Sequence, residues 1–331
     1  MRCWLAFCLL LLPCLCGGEE GVLTPSKTFY DRGGLPLREL LSENHTYYEP
    51  VSLDKISPWL LSAVISAEDK RFYTHSGVDV AAVLRATWQN ATEGNVVSGA
   101  STITQQLARA ISPRPKTWWG KTKEALSAVR LEQIHTKEEI LEQYFNLLEF
   151  GNLTQGAQAA SRFYFGVDVA DLSLGQAAFL AGLLKSPTYY NPLKHLTRAL
   201  KRQKYVLDQM HQSGVINDEL YALTQEEKII LQAKTRPFYA PHFTQFTAAF
   251  VPAGSPAVTT TLDRELQTQV EHALKNQLAR LADSNVTNGA VVVLDNATGG
   301  VLAYAGSVDF NDKKHSGQVD GVRALRQPGS A

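Results

Sequence analysis

The chain has 331 residues, enough for about two domains with a large hydrophobic core. Its 32 basic and 32 acidic side chains balance, so no overall charge favours a nucleic-acid partner. The body of the chain has neither a disulfide framework nor a cysteine metal site, because all the cysteines lie at the amino terminus: Cys3, Cys8, Cys14 and Cys16.

The amino-terminal segment 1–18 is an apolar run that follows a single arginine and ends at two glycines. It is shorter than the ~20 residues of a membrane span and has the length of a signal-peptide core. We expect a signal sequence or membrane anchor, and the sequence leaves open whether it is cleaved, kept or lipidated. Residues 19–50 are predicted to be a spacer, in which the turn signal at 31–34 predicts a small hairpin or an extended arm.

The stretch 68–77 combines two adjacent carboxylates with cations, aromatic rings and an imidazole. Ser57 as the capping residue, Pro58 at the first helical position and apolar residues at helical spacing predict a helix that ends near Glu68. The negative end of a helix dipole disfavours the ionised form of a carboxylate placed there, which suits a general acid or base. The alternative is a charged helix end followed by a turn.

Hydroxyl residues followed three positions later by Glu or Gln predict several helix starts. Thr102 with Gln105 marks one of them, and the free N–H groups there, next to Gly99 and Ser101, would suit an anion. The alternative is an ordinary capped helix. Two further capped helices are predicted by Thr136 with Glu139 and by Ser173 with Gln176.

The predicted loop over 111–120 contains prolines, cations and the adjacent Trp118 and Trp119. This composition suits a mobile flap or a contact with a membrane surface. The helix that is predicted to follow opens with Lys121 and Lys123. These lysines could stabilise a diphosphate leaving group, and the alternative is solvated surface charge.

After residue 257 the pattern changes from helical to mixed. One helix and one hairpin cannot bury a core of their own, so this segment is typical of the beginning of a further domain. Before residue 257, the sequence predicts a connection of small residues at 151–160 and a long helix at 197–213. After residue 257, it predicts a helix at 265–281 and strands at 258–262, 289–294 and 300–306.

Five short motifs follow one another between Glu68 and Leu207. The first reads Glu-Asp-x-x-Phe-x-x-His-x-Gly and the second Gly-x-Ser-Thr-x-x-Gln-Gln. In the third, Gly120 stands where the pattern has an arginine. The residues of the motifs are Glu68, Asp69, Phe72, His75 and Gly77; Gly99, Ser101, Thr102, Gln105 and Gln106; Lys121 and Glu124; Lys137, Ile140, Leu141, Glu142, Tyr144 and Asn146; and Arg202, Val206 and Leu207.

This series resembles the peptidoglycan glycosyltransferase domain (family 51) of class A penicillin-binding proteins, in particular their 1C-like branch. The resemblance implies a mainly α chain, with a lysozyme-like α-helical glycosyltransferase domain over 51–235 and a linker over 236–256. Residues 257–331 would be the incomplete α+β start of a penicillin-binding transpeptidase domain. Ser330 would hold the position of the transpeptidase nucleophile, and we expect no transpeptidase activity because its lysine base is absent from this chain.

The implied reaction is the inverting polymerisation of lipid II into glycan strands, with release of undecaprenyl diphosphate. Glu68 would be the general base and Glu124 the second carboxylate, while Arg109, Lys121 and Lys123 would stabilise the diphosphate. The resemblance fixes no cofactor or metal site, and leaves a divalent cation, Mg²⁺ or Mn²⁺, as an option. The other implied substrate-binding residues are Asp69, Phe72, His75, Gly77, Gly99, Ser101, Thr102, Gln105, Gln106, Lys137, Glu142, Tyr144, Asn146 and Arg202.

The implied partners are lipid II, the growing glycan strand, a membrane surface and other cell-wall synthesis proteins, with no nucleic acid. The implied location is the bacterial inner membrane, with the catalytic domain on the periplasmic side. Two rival functions stay open. A lysozyme-like hydrolase would use the same two carboxylates to cleave glycan, and a membrane-anchored scaffold with a decayed site would explain Gly120. Turnover of lipid II separates the three.

Overall fold

The computed structural model describes residues 24–93, 101–115, 117–232, 236–252 and 254–325. The predicted leader at 1–18, Gly99 and Ser330 lie outside these ranges. Within them, no helix is both long and apolar enough to cross a bilayer.

The described residues form eleven α-helices and eight short strands, which confirms the mainly α prediction. The helices are α1 Pro58–Glu68, α2 Val80–Glu93, α3 Ile103–Ile111, α4 Trp118–Ile134, α5 Lys137–Leu147, α6 Ala157–Phe165, α7 Leu174–Leu184, α8 Pro192–Gln212, α9 Asp218–Glu226, α10 Pro241–Ala248 and α11 Arg264–Arg280. The strands are β1 Lys27–Tyr30, β2 Pro36–Leu40, β3 Tyr47–Tyr48, β4 Glu149–Gly151, β5 Thr154–Gln155, β6 Ala257–Thr259, β7 Val291–Leu294 and β8 Val301–Ala305.

Helix α7 is the apolar centre of the helical part. Ten of its 11 residues are buried, as expected of a helix that is apolar on all sides. It packs against α1, α6 and α8. Its small residues let these neighbours approach closely, because a Cβ on Gly182 would lie only 3.1 Å from Cγ of Arg202. This approach brings α8 near the carboxyl end of α1.

The predicted capping boxes are all present. In each, the hydroxyl accepts a hydrogen bond from the N–H three residues later, and the Glu or Gln side chain accepts one from the N–H of the capping residue. The prediction for α1 is wrong in one respect. Ser57 precedes the helix, but its hydroxyl donates to the carbonyl of Leu172 at 3.3 Å and does not cap it.

Two predicted loops contain helical residues. Helix α4 begins at Trp118 and not at Lys121, because the Thr117 hydroxyl accepts a hydrogen bond from the N–H of Gly120. The predicted connection 151–160 becomes α6 after Gly156, whose φ of 85° suits glycine. Neither start has the Glu or Gln that completes a capping box, so the pattern did not reveal them.

A second, smaller hydrophobic cluster joins segments from before and after the helical part. The predicted hairpin at 31–34 is confirmed, since β1 pairs with β2 in antiparallel fashion, and β1 also pairs with β6 in parallel. The chain therefore enters and leaves the helical part at one small sheet. The later hairpin of β7 with β8 is confirmed as well. The buried residues of the cluster are Phe29, Leu37, Ala240, Phe243, Leu262 and Tyr304.

Replacement of Phe29 by alanine should loosen this second cluster. The ring is fully buried, and the loss of such a ring typically costs about 3–5 kcal/mol. We expect the backbone amides of β1 and β6 to exchange faster with deuterium than in the unmodified protein. Phe250→Ala, at a position that is 73% exposed, is the matched control and should change nothing. Equal exchange in the two variants would contradict this account.

Candidate active site

Glu68 is the last residue of α1, and only 6% of its side chain is exposed. One carboxylate oxygen accepts a hydrogen bond from Nη2 of Arg202 at 3.1 Å, and the other accepts one from Nε2 of Gln106 at 3.0 Å. The guanidinium offsets the negative end of the α1 dipole. The two bonds fix the carboxylate, and each oxygen keeps a further lone pair for another group.

Arg202 reaches Glu68 from α8, 134 residues away in the sequence. Its guanidinium carbon lies 4.2 Å from the centre of the Tyr205 ring, one turn further along the same helix. The ring supports the flat face of the cation, an arrangement that stabilises arginine on an aromatic side chain. The orientation of Arg202 is therefore set within α8, before any substrate is present.

Asp69 holds the turn that follows α1. Nε2 of His75 lies 3.0 Å from each oxygen of Asp69, and the N–H of Ile103 donates to the same carboxylate at 3.0 Å. Burial, the largest influence, raises the pKa of Asp69 above its usual range. Asp69 thus ties the turn to the start of α3, and the fully buried ring of Phe72 anchors the turn in the core.

Gly77 is the point where this turn meets α4. Its φ is 88°, and a Cβ there would lie 2.6 Å from the backbone of Ala128, so a larger residue does not fit. The carbonyl of Gly77 accepts a hydrogen bond from the Thr102 hydroxyl at 2.6 Å. Thr102 and Gln105 are buried and complete the cap of α3, so they position the site from inside the protein.

Glu124, on α4, is a second buried carboxylate. Lys121 Nζ donates both to Glu124 and, at 2.7 Å, to the Ser101 hydroxyl, and Nη1 of Arg109 lies 3.8 Å from the other Glu124 oxygen. Both cations are about half exposed, so their charge is open to a ligand. Lys123 is exposed about 100° around α4 from Glu124, and the structure does not bring it into this cluster.

Helix α3 connects the two carboxylates. Gln106 and Arg109 lie one turn apart on the same side of this helix. Gln106 contacts Glu68, whereas Arg109 contacts Glu124. The carboxylates therefore lie beside successive turns of one helix, a placement that no local pattern in the sequence reveals.

An open cleft of about 480 Å³ lies beside Glu68. Its lining includes cationic and aromatic residues that the motifs did not mark. Tyr205 is the clearest of these, and its position three residues after Arg202 is the sequence signal that could have found it. The polar and aromatic lining residues are Ser66, Glu68, Asp69, Lys70, Arg71, Asp79, Arg85, Ser101, Thr102, Tyr205 and Gln209.

Glu132 is a buried carboxylate that no motif marked. It accepts hydrogen bonds from the Thr104 hydroxyl at 2.6 Å and from Lys137 Nζ at 2.7 Å. Lys137 also donates to the carbonyl of His75 at 2.8 Å and lies 4.3 Å from the centre of the Phe72 ring. Lys137 is thus occupied by contacts within the protein, and it joins α4 and α5 to the turn after α1.

The other residues of the fourth motif also contact protein groups. Glu142 accepts a hydrogen bond from the N–H of Leu53 at 2.9 Å. Asn146 bonds to both backbone groups of Val51, at 2.9 and 2.7 Å. Tyr144 is fully buried. The fourth motif therefore holds α5 against the segment before α1, and these side chains do not line the cleft.

Gly120 takes the place of an arginine in the third motif, and local packing accounts for it. A Cβ on Gly120 would lie 2.1 Å from the carbonyl oxygen of Pro115. Any side chain would therefore displace the chain between α3 and α4. The neighbouring Trp118 and Trp119 are 90% and 77% exposed, which is unusual for large apolar rings.

The donor groups of the site do not fit a resident divalent cation. Among the described residues, no group of three or more Asp, Glu, His or Cys is placed to hold a metal ion. Glu124 already faces Lys121 and Arg109. Lys121 and Arg109 supply no oxygen ligand, so the side chains alone do not complete the near-octahedral oxygen shell of Mg²⁺, which usually binds through one or two carboxylates together with water and substrate phosphates.

Comparison with known proteins yields one family. A model of the transglycosylase family matches residues 34–211, more than half of the chain. Penicillin-binding protein 1C of Escherichia coli (strain K12) is 37% identical over 308 residues, which cover 93% of this chain and 40% of that protein. Penicillin-binding protein 1F of Bacillus subtilis (strain 168) is 33% identical over 324 residues, which cover 93% and 44%. The chain spans less than half the length of these relatives.

Solved structures are also similar to this chain. Among them is that of penicillin-binding protein 1A from Haemophilus influenzae, which has 21% sequence identity and a TM-score of 0.49. The superposition covers 83% of this chain and 32% of that one.

Glu132→Gln should destabilise the helical part, because the Lys137 ammonium loses its carboxylate partner in a buried setting. We expect a loss of about 2 kcal/mol, typical of a charged group left incompletely paired. Glu138→Gln, which removes the same charge from an exposed site in α5, should cost less than about 0.5 kcal/mol. Urea unfolding followed by circular dichroism measures both. Equal losses in the two variants would show that Glu132 has no special structural role.

Proposed function

Because the chain belongs to the transglycosylase family, we propose that it is a peptidoglycan glycosyltransferase that polymerises lipid II. The observation that carries this proposal is the pair of buried carboxylates beside α3. Glu68 is fixed by two donors, whereas Glu124 lies with cations that are half exposed. Such a site can take a proton at one carboxylate and accept a diphosphate at the cations.

We assign the role of general base to Glu68. It removes the proton from the 4-hydroxyl of the incoming lipid II sugar, and the hydroxyl oxygen attacks the anomeric carbon of the growing strand. The bond from that carbon to the diphosphate oxygen breaks, the anomeric centre inverts, and the diphosphate takes the electron pair. The open lone pairs of Glu68 and the adjoining cleft support this role. Because Arg202 and Gln106 already fix the carboxylate, little reorganisation is needed.

We assign the binding of the departing diphosphate to Arg109 and Lys121. Their exposed nitrogens can donate charge-assisted hydrogen bonds to phosphate oxygens, with the Ser101 hydroxyl beside Lys121. Glu124 holds the two cations together until the diphosphate competes for them.

We propose that exposed apolar residues near the site lie on a lipid surface. Trp118 and Trp119 open α4, Ile111 ends α3, and Leu84 and Trp88 extend from α2; all are more than half exposed. Indole rings favour the headgroup region of a bilayer. A lipid-linked substrate would reach the cleft from that side, at the periplasmic face of a bacterial inner membrane. Association with other cell-wall synthesis proteins stays a prediction.

The two rival functions are less well supported. A glycan hydrolase would use the carboxylates, but it requires neither half-exposed cations beside Glu124 nor apolar rings at Trp118 and Trp119. The decayed scaffold was supported by Gly120. The close approach of the Pro115 carbonyl leaves no room for a side chain at position 120, so packing accounts for the glycine. The carboxylates of Glu68 and Glu124 are both present at the site.

Glu68→Gln should abolish polymerisation, because glutamine preserves the shape of the carboxylate but cannot take up the proton. We expect a rate loss of at least about 10²-fold, the scale of general-base catalysis. Gel analysis of glycan made from purified lipid II measures it. Glu149→Gln, which alters an exposed carboxylate on β4, is the control and should keep the normal rate. Glycan synthesis at the normal rate by the folded Glu68→Gln variant would contradict the assignment of Glu68 as the general base.

Joint replacement of Trp118 and Trp119 by alanine should weaken vesicle binding without a loss of thermal stability, because both rings are exposed. Co-sedimentation with liposomes that contain anionic lipid measures the binding. Joint replacement of Leu223 and Ile230, which are also exposed but lie away from α4, is the matched control. Similar binding by both double variants would count against a membrane role for the tryptophans.

A further inference from the structure

Tyr144 has a place in the site although it cannot touch a substrate. It lies on α5 with its side chain fully buried. Its hydroxyl donates a hydrogen bond to Oε1 of Gln106 at 3.2 Å. Burial, with the nearby Glu68 and Asp69 carboxylates, raises the pKa of Tyr144 well above its ordinary value, so the hydroxyl keeps its proton and stays a donor. Any influence on the reaction must pass through Gln106.

Gln106 has a donor end and an acceptor end, and their orientation matters to Glu68. Its Nε2 donates to Glu68 while its Oε1 accepts from Tyr144. If the amide turned over, its oxygen would face the Glu68 carboxylate, which only accepts hydrogen bonds. The Tyr144 proton would then face an NH₂ group in a buried setting, where an unpaired polar group is unfavourable. The Glu68 carboxylate and the Tyr144 hydroxyl therefore both favour the orientation in which Gln106 donates to Glu68.

Arg202 does not replace this contact. It bonds to the other oxygen of Glu68, from the opposite helix. A carboxylate that is held at one oxygen can still turn about that bond, whereas two donors from α3 and α8 fix its plane. The direction of its free lone pairs toward the cleft depends on both.

We propose that Tyr144 is a positioning residue for Glu68, which sets the amide orientation of Gln106 and so keeps a donor on the general base. This inference rests on the proposed function, since it concerns the same proton transfer. Without the hydroxyl, Oε1 of Gln106 loses its donor in a buried setting, so that only the Glu68 contact orients the amide and the donor to Glu68 is held less firmly. The proton-transfer step slows, while substrate binding changes little because Tyr144 and Gln106 are both buried.

The test compares Tyr144→Phe with Tyr164→Phe in lipid II polymerisation. Tyr164 is an equally buried tyrosine whose hydroxyl donates to the carbonyl of Phe150 at 2.9 Å, on α6 and away from the cleft. Each variant loses one hydroxyl, so a general effect on packing appears in both. We expect kcat of Tyr144→Phe to fall about tenfold, the scale of one hydrogen bond, with KM within about twofold. Tyr164→Phe should keep the normal kcat.

A double-mutant cycle with Gln106→Met shows whether Tyr144 acts through Gln106. The methionine variant has no amide to orient, so Tyr144→Phe should lower kcat no further in that background. An equal factor in both backgrounds, or equal kcat for Tyr144→Phe and Tyr164→Phe, overturns the inference. So does an unchanged kcat in Gln106→Met. If the unmodified protein makes no glycan, the proposed function itself fails and the inference falls with it.

Discussion

The paired contact of the Glu68 carboxylate with Arg202 and Gln106 is the interaction on which the site depends. It joins α1, α8 and α3 at one buried point. A buried carboxylate without partners would be strongly unfavourable, and the loss of either partner leaves a charge incompletely compensated. The contact that makes this burial tolerable also fixes the direction of the carboxylate that we propose as the general base. The same two hydrogen bonds therefore stabilise the buried Glu68 carboxylate and hold it in a fixed orientation.

The second carboxylate, Glu124, differs from Glu68 in that its cationic partners are open to solvent. Glu124 is buried, but Lys121 and Arg109 are half exposed, and pairs of this kind contribute little to stability because water screens them. In the proposed reaction these cations would exchange Glu124 for an oxygen of the diphosphate at a small cost in free energy. Glu132, by contrast, bonds to the buried Thr104 of α3 and to the largely covered Lys137 of α5, and so ties α4 to both helices. The site thus combines one largely covered ion pair, Glu132 with Lys137, with a half-exposed cation cluster around Glu124.

Local features of the sequence predicted the local structure well. The capping boxes, the hairpins and the end of α1 at Glu68 each depend on residues a few positions apart, and all are present. What could not be predicted depends on distant parts of the chain. The Glu68–Arg202 contact follows from the close packing of α8 on Gly182, and Ser57 bonds to Leu172 instead of capping. The fourth motif predicted substrate-binding side chains, yet Lys137 and Tyr144 have partners inside the protein.

The central claim is that this protein polymerises lipid II. The most direct test incubates the purified protein with labelled lipid II in detergent micelles and measures the glycan and the released lipid diphosphate by mass spectrometry. The account predicts one undecaprenyl diphosphate released for each disaccharide added, and a strand that lengthens with time. Shortening of preformed glycan without release of the lipid diphosphate would contradict it and favour a hydrolase. Absence of any turnover would contradict it equally, and would favour a scaffold.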